Sequence, residues 1–106
     1  DSEEALRSQI TSILSGLATL AGVPRDRFAD VAIEVDERFI GAGYGIPTPE
    51  THEAIALTAR TEAIFLDHTY TAKAMAGLIA YLRRGDFAAD QTVLFWHTGG
   101  QVGLFA

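Results

Sequence analysis

The segment Ile64-Phe65-Leu66-Asp67-His68-Thr69-Tyr70-Thr71-Ala72-Lys73-Ala74-Met75-Ala76-Gly77 changes its pattern twice. It opens on an apolar run, Ile64 to Leu66, of the kind a buried strand shows. A polar cluster, Asp67 to Thr71, interrupts it. Met75, Leu78, Ile79 and Leu82 then fall at i, i+3, i+4 and i+7, the spacing of one helix face. Strand, polar turn and helix in that order put side chains at the carboxyl end of a strand, where the ligands of open α/β sheets collect. Downstream, Val93-Leu94-Phe95-Trp96 runs into His97-Thr98-Gly99-Gly100 in the same form. Two polar turns at equivalent positions point to one shared pocket.

Upstream the pattern also alternates. Ser2 is placed to cap a helix, with Glu3 and Glu4 in the first turn, where the helix dipole favours them. Leu6, Ile10, Ile13, Leu14, Leu17 and Ala21 form its apolar face, and Gly22 with Pro24 ends it. Val31, Ile33 and Val35 alternate with Ala32 and Glu34, which reads as a strand. After the loop Gly41-Ala42-Gly43-Tyr44-Gly45-Ile46-Pro47, Thr48 caps a second helix with Pro49 at its first position. That helix turns Ala54, Ile55 and Ala59 inward and stops near Glu62. The third helix ends at Arg83-Arg84-Gly85, two cations at the negative end and then a glycine cap. A last strand, Thr92 to Trp96, leads to the glycine turn and an apolar tail, Leu104-Phe105-Ala106.

The order α, β, α, β, α, β predicts an α/β fold, a parallel sheet with flanking helices and right-handed crossovers. Tyr44, Tyr70 with Thr71, and Thr98 with Gly99 and Gly100 would then converge at one edge of that sheet. Three strands so thinly covered read as part of something larger.

Composition narrows the possibilities. The chain has 106 residues, so it holds one domain at most. Its 48% hydrophobic and 21% charged residues are globular values. A net charge of −6, with no basic cluster beyond Arg83-Arg84, argues against a nucleic-acid-binding face. The absence of cysteine excludes a disulfide framework and thiolate chemistry. The opening DSEEALRSQ does not resemble a signal peptide, and no apolar run approaches the roughly 18 residues of a bilayer span. The expectation is a soluble, cytoplasmic protein with no nucleic-acid partner and no membrane.

Several chemistries fit poorly. Gly41, Gly43 and Gly45 lack the third glycine of G-x-G-x-x-G, since Ile46 stands there, and the loop runs into proline rather than opening a helix. Asp67, His68 and His97 have no metal-ligand spacing on one element, and Asp67 reads better as a turn cap. The serines, Ser2, Ser8, Ser12 and Ser15, all fall in the first helix, with no G-x-S-x-G elbow for a nucleophile. Tyr44 and Tyr70 can be packing residues or reactive phenols. The Thr98-Gly99-Gly100 turn can present N–H groups to an anion or can be a plain tight turn.

GAGYGIPTPE, then EAIALTARTEAIFLDHTYTAKAMAGLIAYLRRGDF, then VLFWHTGG and LFA occur in an order that resembles one family. It is that of the D-cysteine desulfhydrases and 1-aminocyclopropane-1-carboxylate deaminases, which use pyridoxal phosphate. The likeness covers residues 40–106. It implies a tryptophan-synthase-β-like fold (fold type II), with residues 1–106 as the C-terminal segment of the cofactor-binding α/β domain. It further implies a small amino-acid substrate and a homodimeric full-length enzyme. The implied reaction is α,β-elimination from a β-substituted amino acid such as D-cysteine, giving pyruvate and ammonia. Deamination of the cyclopropane amino acid is the alternative, and a non-catalytic piece that assembles with a partner half is another.

Carried over by that resemblance, Tyr44 and Tyr70 are the catalytic candidates, and Thr71, Thr98 and Gly99 are the cofactor-binding ones. Tyr70 matches the tyrosine over the cofactor, and to act as a base near neutrality it would need a lowered pKa. Thr71 matches a residue near the pyridine nitrogen that is glutamate in the deaminases and threonine in the desulfhydrases. A neutral hydroxyl there suits loss of a good β-leaving group. Departures from the family pattern are His68 and Thr69 where proline and valine are usual, Ala72 for glycine, and Val102-Gly103 for proline-alanine. Lys73 matches a lysine at the helix start, not the lysine that carries the cofactor.

Overall fold

The computed structural model describes residues 2–105, so Ala106, the end of the apolar tail, lies outside the described residues. Two compact units divide the chain, Asp1–Asp36 and Glu37–Ala106. No helix among the described residues is long and apolar enough to cross a membrane.

The first unit is built on α1, Glu3–Leu20. Ser2 caps it as expected, its hydroxyl accepting the Ala5 N–H at 3.2 Å. Leu6, Ile10, Leu14 and Ala18 form the covered stripe, with Ala18 fully buried. Ile13 and Leu17, read from the sequence as part of the same face, stay exposed. The reason is a narrow partner: α1 packs on a single 3₁₀ turn, Arg25–Phe28. Arg7 pairs with Glu3 at 2.8 Å and donates to the carbonyl of Ile33.

In the second unit α2 spans Pro49–Glu62 and α3 spans Thr71–Arg84. Thr48 and Thr51 cap each other: the Thr48 hydroxyl accepts the Thr51 N–H, and the Thr51 hydroxyl accepts the Thr48 N–H. Threonine here fills the place that glutamate or glutamine usually takes in such a box. Gly85 caps α3 as expected, but α2 ends on Ala63, whose φ of 55° is left-handed. α2 and α3 pack through small residues, Ala54, Ala72 and Ala76, which let the helices approach closely. Leu66 and Met75 complete that core, with Phe39, Ile55, Leu78, Ile79 and Phe95 around it. Arg83 bridges back to Glu53 at 2.5 Å. Both side chains are exposed, so the pair adds little stability.

The parallel sheet expected from the sequence is absent: the described residues contain no strand. Segments 31–35, 64–66 and 92–96 form no backbone ladder. Side chains take the carbonyls a ladder would have used. Arg7 holds that of Ile33, and the ring of His97 meets that of Phe65 at 2.9 Å. Apolar alternation records which faces a segment can bury, whereas a strand exists only when a neighbour lies at ladder spacing along its length. Without that neighbour Phe65, Leu94 and Trp96 remain exposed.

That exposure sets an expectation. Trp96, the chain's one tryptophan, is 77% exposed. A preparation of these 106 residues should show the red-shifted emission of a water-exposed indole and bind a hydrophobic dye at its apolar patches. Blue-shifted emission without dye binding would contradict the arrangement.

Candidate functional site

Asp67 organises the turn between Leu66 and α3. Its carboxylate accepts the N–H groups of Thr69 and Tyr70 at 2.8 Å each and that of Thr71 at 2.9 Å. The Thr71 hydroxyl donates to the same carboxylate at 2.6 Å and accepts the Asp67 N–H at 2.9 Å. Tyr70, at the N-cap of α3, supplies no side-chain cap, so Asp67 does so from three residues upstream. Donors at a helix start that lack intrahelical partners are thereby satisfied, and a negative charge sits at the positive end of the dipole. Burial alone would push the Asp67 carboxyl up. The hydrogen bonds from the Thr71 hydroxyl and from the N–H groups of Thr71, Tyr70 and Thr69 outweigh it, holding the group at about 2 against an ordinary 3.8. The turn-capping role read for Asp67 in the sequence is what the structure shows.

The second polar turn lies against the first. Gly100 has φ +93°, and a Cβ there would lie 2.7 Å from an Asp67 carboxylate oxygen, so no other residue allows this approach. Gly99, at φ +101°, donates its N–H to His97 Nδ1 at 3.1 Å. Nδ1 is therefore the acceptor, and the proton on Nε2 faces the Phe65 carbonyl. Both ring nitrogens of His97 are engaged within the fold. Thr98 stands exposed between His97 and Gly99.

Tyr44 and Tyr70 meet directly. Their hydroxyl oxygens are 2.6 Å apart, and the rings lie edge to face with centroids at 5.8 Å. Both are exposed, at 79% and 58%. The hydrogen bond with Tyr44 raises the Tyr70 pKa above its ordinary 10, and desolvation and the negative charge of Asp67 act the same way. This is opposite in direction to the lowered value that a base near neutrality requires. Tyr70 therefore keeps its proton near neutrality.

Thr71 is buried, and its proton is directed to Asp67, which leaves an oxygen lone pair as its remaining hydrogen-bonding capacity. Lys73 is also buried, and its ammonium donates to the carbonyls of Ile40 at 2.5 Å and Gly43 at 2.9 Å. The ring of His68 lies edge-on to His52, with centroids 5.5 Å apart, and its buried Nδ1 has no hydrogen-bond partner among the described residues.

Sequence reasoning named these residues and missed three links among them: the phenol–phenol contact, the hydrogen bonds of Lys73 to the Ile40 and Gly43 carbonyls, and the closed Asp67–Thr71 pair. Only the last had a local signal, a carboxylate four residues before a hydroxyl at a helix start.

Comparison with known proteins shows the family. A family model described as pyridoxal-phosphate dependent enzyme matches residues 2–99. The chain belongs to that family. It is 41% identical over 103 residues to the 1-aminocyclopropane-1-carboxylate deaminase of Burkholderia vietnamiensis, a match covering 97% of this chain and 30% of the relative. Over 99 residues it is 40% identical to the enzyme of that name from Variovorax paradoxus, covering 93% and 29%. Over 97 residues it is 38% identical to that of a Bradyrhizobium species, covering 92% and 28%. The chain thus spans about 30% of the length of such curated relatives.

Members of the family depend on pyridoxal phosphate, and the residues present fit part of its surroundings. A pair of exposed phenols, a hydroxyl turn and a glycine turn are groups that can border a polar aromatic ring. The covalent anchor is a different matter. Lys73 is the only lysine in the chain, and its amine is buried against two carbonyls. It does not fit that role.

Asp67 carries a pH expectation. Its carboxyl lies below the unfolded value, so its stabilisation is complete above about pH 4 and is lost as pH falls through about 2. The shift is worth roughly 2 kcal/mol. Asp67→Asn should remove about that much stability at neutral pH and flatten the acid limb of the stability profile. Denaturant titrations of wild type and variant at several pH values check this.

Proposed function

We propose that the complete protein is a pyridoxal-phosphate-dependent carbon–sulfur lyase of the D-cysteine desulfhydrase kind, with this chain as the C-terminal segment of its cofactor-binding domain. It takes D-cysteine or a related β-substituted amino acid and releases pyruvate, ammonia and the β-substituent. It works in the cytoplasm, as a homodimer. When bound, the cofactor supplies the electron sink that makes bonds at the α-carbon breakable.

One observation carries the reading: the carboxylate of this turn is spent on its own donors, and the group the turn directs outward is the neutral phenol of Tyr70. The Asp67 carboxylate is occupied by donors of its own turn. By the family resemblance, Thr71 with its uncharged oxygen and Thr98 with a second hydroxyl would be the residues that hold the cofactor's ring, with Gly99 giving room for the turn. Neutral hydroxyls in that place would offer the ring no anionic partner, which would suit expulsion of a good leaving group over chemistry that needs a deeper sink. Tyr70, kept protonated by its bond to Tyr44, donates a proton to the departing atom or to the substrate carbon. Tyr44 orients it, and solvent water, which reaches this exposed pair, would return the proton.

A second reading is favoured by the names of the three relatives cited above, each a 1-aminocyclopropane-1-carboxylate deaminase. That reaction opens a cyclopropane ring and gives 2-oxobutyrate and ammonia.

The two readings have different products. Complete protein loaded with cofactor and offered D-cysteine should release pyruvate and sulfide, faster than it forms 2-oxobutyrate from the cyclopropane amino acid. The reverse preference puts the deaminase reading first, and no turnover of either removes both. Tyr70→Phe keeps the ring and drops the proton, so kcat should fall by about 10²–10⁴ with little change in KM. Near-wild-type turnover would return Tyr70 to a packing role.

A further inference from the structure

We propose that Lys73 is the positioning residue for the phenol pair: it fastens the loop from Ile40 to Tyr44 onto the first turn of α3, so that the Tyr44 hydroxyl reaches Tyr70. The proposal deepens the function above and, for its kinetic arm, rests on it.

The argument begins with how little else holds Tyr44. Its ring is 79% exposed, so packing fixes it weakly. Among the described residues the loop has no ladder, and within it the Ile46 N–H donates to the Gly43 carbonyl at 3.3 Å. Yet the two phenol oxygens are only 2.6 Å apart. An exposed side chain on an unladdered loop needs its backbone anchored to keep such a contact.

Lys73 supplies that anchor. It lies three residues after Tyr70, on the same side of the start of α3. Its buried ammonium donates to the carbonyls of Ile40 and Gly43, and Gly43 directly precedes Tyr44. Hydrogen bonds from a charged donor are about twice as strong as neutral ones. The loop also closes tightly around this point. Gly41 has φ +74°, and a Cβ there would meet Thr48 Cγ2 at 2.6 Å and Lys73 Nζ at 4.0 Å. One helix turn thus carries both a reactive phenol and the cation that sets its partner in place.

Other roles for a buried lysine fit less well. As a plain core cation it would need an anionic partner, and it meets carbonyls instead. Asp67, whose negative charge bears on Tyr70, is bonded by the donors of its own turn.

The test is a double-mutant cycle in the complete, cofactor-loaded protein labelled with [13Cζ]tyrosine. The Tyr70 resonance is assigned by its loss in Tyr70→Phe. Tyr44→Phe removes the phenol contact and should lower the Tyr70 pKa. Lys73→Met, which keeps the apolar stem and drops the ammonium, should lower it in the same direction. Added to Tyr44→Phe, Lys73→Met should change the Tyr70 titration no further. A lysine acting only on stability would not show this dependence on Tyr44. If Lys73→Met does not fold, Lys73→Gln, which keeps one donor, carries the same expectation with a smaller effect. On the turned-over amino acid, Lys73→Met should cut kcat by roughly tenfold to a hundredfold with KM little changed, the scale of a misplaced catalytic group. An unchanged Tyr70 titration in a folded Lys73 variant overturns the tether, as does an equal shift with and without Tyr44. The titration needs no turnover, so a positive cycle in a protein without lyase activity sinks the proposed function and leaves the tether standing.

Discussion

Four donors converge on the carboxylate of Asp67, and the second unit depends on that convergence. Three are backbone N–H groups and one is the Thr71 hydroxyl. Together they fix the backbone from 67 to 71, which sets where α3 begins and therefore which of its faces meets α2. Leu66, one residue upstream, is fully buried in that interface, so the polar turn and the apolar core hold each other in place. The same carboxylate is the surface against which Gly100 rests. A buried charge is costly unless its hydrogen-bonding capacity is met, and here its own turn meets it.

Fixing the turn also fixes what it offers to a ligand. Tyr70 emerges at the helix start with its backbone held and its phenol exposed. Its partner Tyr44 comes from a loop with no regular structure, so the pair joins the best-anchored part of the unit to the least. The electrostatic result is a phenol that holds its proton more tightly than usual.

Helices and their caps were plain in the sequence because their signals are local. Ser2, Thr48 with Pro49, and Gly85 each sit within a turn of the group they satisfy. Ala63 escaped notice because nothing in an alanine announces a left-handed φ. Alternation at Val31, Ile33 and Val35 was real, but it described faces and not neighbours, and the sheet inferred from it is missing. The site was half legible. Motif order named Tyr44, Tyr70, Thr71 and Thr98, while the contact between Tyr44 and Tyr70 spans a sequence gap that no local rule bridges. Lys73 was read as a family position at a helix start, and its reach back to Ile40 became visible only in three dimensions.

The shelter around Lys73 makes this side chain a reporter. Acylating agents and aldehydes attack amines that solvent can reach, and here the ammonium is covered and already donating to two carbonyls. Modification at Lys73 therefore requires the Ile40–Tyr44 loop to lift away first. Its labelling rate would count those openings, which turns the chain's single ε-amine into a clock for how often the phenol pair comes apart.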